Sequence, residues 1–564
     1  SYPSGFAGGF VPKAMPESRG LGIQLRRTDD PASLEEPLLA VYRSGEGGLD
    51  DVTADGDQSD WPEGQYLVVV QTLAKTSPWF GGTHYVDLLR PGVTERFLDI
   101  TMEAYRREVG DQFGQRIPGV FTDEPHLAPA DGLHWTPDLP EQFEARWGYD
   151  LRDHLISLWR PEGDWQRVRH NYYQTLLDLF VERWAKPFYE SCEANDLEFT
   201  GHYWEHGWPK ARIAPDNMAM YAWHQRPAID TLFNQYSEKT DAQFGNVRAV
   251  MELASAADQL GRERTLCEAY GGSGWDARFE DFKRIGDWLQ VLGVNTINEH
   301  LSQITNRGAR KADYPPSFSY HAPWFDSYHV LADYFTRVSA ALSAGVRPAN
   351  VLVIEPTSTA WMYQGVDEEL GPLGADFQAL VTDLAQAQVE FDLGSEDIIA
   401  RQGLVDGGRF HVGEREYRVV VLPPHMENVN TRSPELLERF LEANGAVILV
   451  GEAPPLRVDG QVDDRPKGLA RFDGWKQVEP AHILGSVEPY SGVGFPVRRS
   501  GGDQGILYHH RRRFSDGDLI FLVNTSLDQP TSGRIETARG GVERWDPATG
   551  ETGLSYPFAV LGEA

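Results

Sequence analysis

At 564 residues the chain is too long for a single hydrophobic core, so two or three domains are expected. Its 41% apolar and 24% charged residues give an ordinary globular balance, with no apolar run of membrane-spanning length. A net charge of −32, from 52 basic and 84 acidic residues, argues against a nucleic-acid partner, whose phosphates would be repelled.

Two cysteines, Cys192 and Cys267, supply neither a disulfide framework nor a paired-thiolate metal site. The chain starts at Ser1 without a charged-then-apolar leader, which leaves its compartment open. Sixteen Trp and 22 Tyr could stack on sugar rings, although most aromatics of any chain fill cores.

Up to residue 345, short apolar runs alternate with amphipathic helical stretches, as in a parallel sheet wrapped by helices. Gly20 to Asp60 reads as an inserted hairpin and loop, and Tyr66 to Thr72 (YLVVVQT) as a strand. A helix from Thr94 to Val109 leads to a strand at Ile117 to Thr122. A long helix, about Trp165 to Asn195, precedes the strand Leu197 to His202. Ala228 to Phe233 is another strand, followed by a helix from about Asn246 to Leu260. Arg264 to Ala269 and Val294 to Asn298 are strands around the helix Phe279 to Leu292, and a last helix runs from about Tyr328 to Ala344. Six strands with crossovers predict an α/β fold of the (β/α)8 TIM-barrel type over residues 1–345.

Residues 346–458 read as a flavodoxin-like α/β domain. Its strands are Asn350 to Glu355, Tyr417 to Leu422 and Ala446 to Val450; its helices span about Ala375 to Ala387 and Pro434 to Asn444, the second closed by Gly445. No glycine-rich phosphate loop opens its first helix, so no nucleotide or other organic cofactor is expected. Residues 459–564 turn to short alternating runs, a small β domain with strands at Asp518 to Asn524 and Gly541 to Trp545.

Barrel chemistry lies at the C-terminal ends of the strands, so acids that end a strand are the candidates. Asp123 and Glu124 follow IPGVFT, Glu205 follows LEFTGHYW, Asp230 lies in AIDTLF, Glu268 ends RTLC, and Glu299 with His300 ends VNTIN. Paired carboxyls flanking a glycosidic bond can protonate the leaving oxygen and activate water, or attack the sugar directly. Each acid could equally cap a helix or pair with Arg or Lys. Pro125 keeps Glu124 on a loop, and the run AYGGSGW keeps Glu268 beside a roomy aromatic one, which favours this pair. His202, Glu205 and His206 (HYWEH) do not match the zinc-protease spacing.

Several strings resemble a known family: YPSGFAGG from Tyr2, VFTDEP from Val120, TGHYWE from Thr200, PAIDTL from Pro227, CEAYGGSGW from Cys267, LGVNTINEH from Leu292, and RGARKADYPPSFSYHAPWF from Arg307. In this order they resemble glycoside hydrolase family 106, the α-L-rhamnosidases, and the unit after the barrel resembles a glutamine-amidotransferase-like accessory domain. The resemblance implies an inverting, calcium-assisted exo-hydrolase of a terminal sugar in a glycoside or oligosaccharide. It assigns Glu124 as general acid and Glu268 as general base, with the two roles exchangeable. Asp123, His202, Glu205, Asp230, Glu299 and His300 would bind sugar hydroxyls or the metal, whose ligands stay unassigned, and Trp204, Tyr270, Trp275 and Trp324 are candidate stacking platforms. The alternatives are a retaining β-galactosidase-like or other exo-glycosidase on the same barrel, and a non-catalytic carbohydrate-binding relative.

Overall fold

The computed structural model describes residues 3–45, 48–53, 64–491 and 495–555. Residues 54–60 of the expected insertion and the last nine of the expected β domain lie outside them.

Five parallel strands, β1 (Gly119–Thr122), β2 (Glu198–Gly201), β3 (Arg226–Thr231), β4 (Leu266–Ala269) and β5 (Ile297–Glu299), pair side by side in chain order. Helices α1 (Val93–Val109), α2 (Trp165–Phe180), α3 (Val247–Gln259), α4 (Phe279–Leu292) and α5 (His329–Ser343) accompany them. This is the sequential βα winding of a barrel wall, with pairing across five strands among the described residues rather than the eight of a closed barrel. The long helix expected to reach Asn195 is interrupted: α2 passes into a wide π turn at Val181–Ala185 and resumes at Lys186–Glu193.

Tyr66–Leu73 is not a barrel strand. It pairs antiparallel with Leu21–Thr28 and with Leu38–Gly45 inside a separate five-stranded sheet that also takes in Gly48–Asp51 and Leu133–Trp135. Its apolar run has a local cause. Tyr66, Val68 and Val70 close a small core with Val41 and Val52, while Leu67 and Val69 face the main core. A strand covered on both faces loses polar alternation, and so reads like a parallel one.

The second α/β unit carries β6 (Val351–Ile354), β7 (Phe391–Gly394), β8 (Val419–Leu422), β9 (Ala446–Val450) and β10 (Trp475–Val478), all parallel. Their spatial order β7-β6-β8-β9-β10 is the flavodoxin order of a doubly wound sheet. The fifth strand lies beyond residue 458, so this sheet extends into the segment expected to be all β. Further on, β11 (Leu507–Arg513) and β12 (Asp518–Asn524) form a hairpin tied to α4, where Arg284 Nε donates to the Thr525 carbonyl at 2.8 Å.

Arg347 joins the barrel to the second unit. Its guanidinium bonds Asp258 at the end of α3 at 2.7 Å, the Phe391 carbonyl at 3.1 Å, and the fully buried Asp392 of β7. Arg415 and the Tyr417 hydroxyl meet the same carboxylate, at 3.2 and 2.9 Å. Removing one partner from such a group leaves a poorly compensated buried charge. Arg347→Leu is therefore expected to destabilise the protein by about 3–5 kcal/mol, read from the urea midpoint at neutral pH. A midpoint indistinguishable from the parent's would mean that Arg415 and Tyr417 suffice for Asp392.

Candidate active site

The ends of the barrel strands carry unusual backbone. Glu124 (φ 38°), Phe233 (φ 65°), Tyr270 (φ 77°) and Leu301 (φ 43°) all follow a strand by one or two residues in the left-handed region. Such conformations cost of order 1–3 kcal/mol each and gather where geometry serves a ligand. At the end of β2, Gly201 (φ 141°) lies so close to β1 that a Cβ there would stand 2.1 Å from the Thr122 carbonyl oxygen. Only glycine permits that approach, which brings the next residue, His202, beside the acids of β1.

His202 is the hub. It is 1% exposed, and its Nε2 donates to Glu268 Oε2 at 3.0 Å and lies 4.0 Å from Asp123 Oδ1. Burial opposes protonation, but the hydrogen bond to Glu268 and the surrounding Asp230 and Glu205 charges outweigh it and hold the imidazole well above its ordinary pKa. An imidazolium therefore sits among carboxylates. Asp123, Glu124 and His202 also bring one donor atom each within 4.8 Å of one another, close enough to share a metal ion.

The two glutamates experience this hub differently. Burial pushes the Glu124 carboxyl up to about 9; His202 pulls it back, and Asp123, Asp230 and Glu205 add to the rise. For Glu268, burial also raises the pKa, but the hydrogen bond and charge of His202 reverse it, so that the group ends below its ordinary value. The environment thus favours the neutral form of the Glu124 carboxyl and the ionised form of Glu268.

Glu268, Asp123 and Glu299 line an open cleft of about 760 Å³, a volume suited to a sugar. Its walls include Ser4, Asn298, Ser302 and the rings of Phe121, Phe318 and Tyr328. Tyr328 donates to Glu299 Oε1 at 2.5 Å. Ser4 is stitched to the end of β1: its amide donates to the Asp123 carbonyl at 2.8 Å and its hydroxyl accepts from the Asp123 amide at 3.1 Å.

A family model for α-L-rhamnosidase, glycoside hydrolase family 106, matches residues 76–557. The chain belongs to glycoside hydrolase family 106. Among solved structures, a rhamnosidase from Novosphingobium sp. PP1Y superposes with a TM-score of 0.66 at 19% identity, over 91% of this chain and 51% of that one. The chain thus spans about half the length of that rhamnosidase. An apo exo-carrageenase of family 42 from Bacteroides ovatus superposes with a TM-score of 0.56 at 11% identity, over 84% of this chain and 68% of that one. At these identities the likeness is one of fold. No curated protein sequence matches the chain.

Within this family 106 chain, the structure gathers Glu124, Asp230 and Glu268 each within electrostatic reach of His202, with Asp123 acting on Glu124 and Asp230. Asp230 is buried, its carboxyl pushed well up by burial and by Glu268, Glu205 and Asp123. His300 closes the far side, its Nε2 3.9 Å from Glu268 Oε1; burial lowers its pKa. Glu205 is turned inward instead: 1% exposed, it accepts from the Tyr203 amide at 3.1 Å and the Tyr221 hydroxyl at 2.8 Å. It acts on the site through charge rather than contact.

The aromatic expectations divide. Tyr270 is fully buried, packed 5.0 Å from Phe282 and 5.7 Å from Phe318, so it is a core ring and offers no face to a sugar. Trp324 is half-buried in the same cluster, with Phe279, Phe282, Phe318 and Tyr328 around it. Trp204 and Trp275 are exposed on the loops after β2 and β4, and Trp275 Nε1 donates to the Lys311 carbonyl at 2.6 Å. Sequence reasoning gave no role to Ser4 or Tyr328. Both lay within or beside strings that carried the family resemblance, which was the available signal.

Proposed function

We propose that this chain is the catalytic part of an exo-acting α-L-rhamnosidase that inverts the anomeric centre. The observation that carries the reading is the opposed tuning of Glu124 and Glu268 around one imidazolium, with Glu268 and Asp123, the residue before Glu124, lining an open cleft. Glu124, protonated at neutral pH, donates to the glycosidic oxygen as the bond breaks. Glu268, ionised, takes a proton from water attacking the anomeric carbon from the opposite face. His202 fixes the Glu268 carboxylate and lends it positive charge. Asp123 and Glu299 are positioned to accept hydrogen bonds from sugar hydroxyls.

A calcium ion is part of the proposal. Asp123 offers the hard oxygens calcium takes, and sugar hydroxyls and water would have to complete its six to eight ligands; Glu124 could join them only in its ionised form, which is not the form that acts as the acid, and the His202 imidazolium has no lone pair to give. Bound there, the ion would supply positive charge that orients the sugar.

A panel of aryl glycosides, followed by NMR for the anomer first released, tests the reading. Selective cleavage of the α-L-rhamnoside with release of the inverted anomer is expected. Retention would make Glu268 a nucleophile, and a preference for a β-galactoside would replace the sugar. Chelation is expected to lower the rate and added calcium to restore it; an unchanged rate in excess chelator removes the ion from the mechanism.

A further inference from the structure

On a protein with a net charge of −32, one cleft is lined by five arginines. Arg409, Arg418, Arg511, Arg513 and Arg539 surround a hollow of about 400 Å³ with Asp518, Asn350 and Thr537. It lies at the opposite end of the second α/β unit's strands from their C-terminal edge. Asn350 immediately precedes β6, Arg418 immediately precedes β8, and Arg511 and Arg513 belong to β11. None of its residues lines the cleft beside Glu268.

The charge in this hollow is not neutralised. Three of the guanidinium groups share Asp518: Arg539 at 3.1 Å, Arg511 and Arg513 at 3.9 Å each. Arg511 is 3% exposed and also pairs with the buried Glu390 at 2.6 Å, so it is fixed in place. Arg409 and Arg418 have no carboxylate within ion-pair distance among the described residues. Two unpaired guanidinium groups facing a preorganised third make a fork for an oxyanion, which arginine binds through paired, charge-assisted hydrogen bonds. Solubility does not explain such a cluster, because the rest of the surface is acidic and like charges in one hollow repel.

We propose that this cleft binds an anionic substituent, a carboxylate or sulfate ester, on a sugar unit of the polymer from which the catalytic cleft removes its terminal residue. The sugar part of this inference rests on the hydrolase reading; the anion part does not. The hollow would hold an acidic glycan remote from the scissile bond, so its contribution goes to binding of long substrates and not to turnover of short ones.

The test is calorimetric titration of the full chain with a trigalacturonate, a sulfated trisaccharide and a neutral cellotriose, with the Arg409→Ala/Arg418→Ala variant in parallel. These two side chains make no structural ion pair, so the variant should melt with the parent. Tighter binding of one acidic trisaccharide than of the neutral one is expected, weakened about tenfold or more in the variant, the loss of two charge-assisted contacts. Which acidic probe binds identifies the substituent. Cleavage of a small aryl glycoside should be the same in both proteins. Acidic probes that bind no better than cellotriose, or that bind parent and variant equally, overturn the proposal. Because binding is read without turnover, failure of the hydrolase reading would leave this result standing or falling by itself.

Discussion

Glu268→Gln is expected to cut turnover of an aryl α-L-rhamnoside by about 10²–10⁴-fold while the protein remains folded. The substitution preserves shape and an acceptor for His202 Nε2, 3.0 Å away, but removes the charge that accepts a proton from water. Stability should fall modestly at neutral pH, since the hydrogen bond and charge of His202 outweigh the burial cost of the carboxylate, and an amide keeps the cavity filled but forgoes that gain. His202 supplies a second readout. Its elevated pKa depends on Glu268 through both a hydrogen bond and charge, so in the variant the imidazole should titrate at lower pH, visible by NMR. Residues that act as a unit lose little more when both are removed. His202→Ala combined with Glu268→Gln should therefore be scarcely slower than Glu268→Gln alone. A Glu268→Gln enzyme within threefold of the parent would end the two-glutamate mechanism.

The candidate site was legible in the sequence where an apolar strand ran into an acid. Glu268 is the third residue of β4, after buried Leu266 and Cys267 and one residue before the strand's end, and Asp123 and Glu124 follow Thr122 directly; a barrel brings such ends together whatever their separation along the chain. Side-chain direction was not readable. Glu205 also sits just past a strand, yet the helical turn at Glu205–Gly207 rotates it into the core toward Tyr221. Tyr270, in a glycine-rich loop, shows the same pattern as a sugar platform, and only its positive φ sends the ring inward onto Phe282.

Missed elements share a physical reason too. The strand β10 (WKQV) sits at a sheet edge, pairs on one side only, and is half exposed, so it lacks the apolar run of its neighbours. The helix Asp367–Gln386 begins earlier than expected because Gly371, Pro372 and Gly374 read as a break. Gly374 is there for contact: a Cβ would stand 2.8 Å from the Pro209 ring, where the loop after β2 meets this helix. Local propensity yielded in each case to packing that the sequence alone does not display.

Glu124→Gln should separate substrates by their leaving groups. A general acid matters most when the departing oxygen is basic, as in a sugar or alkyl glycoside, and least when it leaves readily, as nitrophenolate does. The variant is expected to lose about 10²–10⁴-fold on an alkyl or disaccharide rhamnoside and far less on the nitrophenyl one. The pH profile carries the same assignment. Glu124 must be protonated to act, and its pKa is pushed up to about 9, so the chelator-treated parent should keep its residual rate through neutrality and lose it as pH rises through that value. Glu268 must be ionised and is held below its ordinary value, so the acidic limb should fall below the usual glutamate range. In Glu124→Gln the alkaline limb should vanish while the acidic limb stays. An equal loss on both leaving groups, with the alkaline limb intact, would assign the proton to another group, and buried Asp230, also raised well above its ordinary value, is the carboxyl in position to hold it.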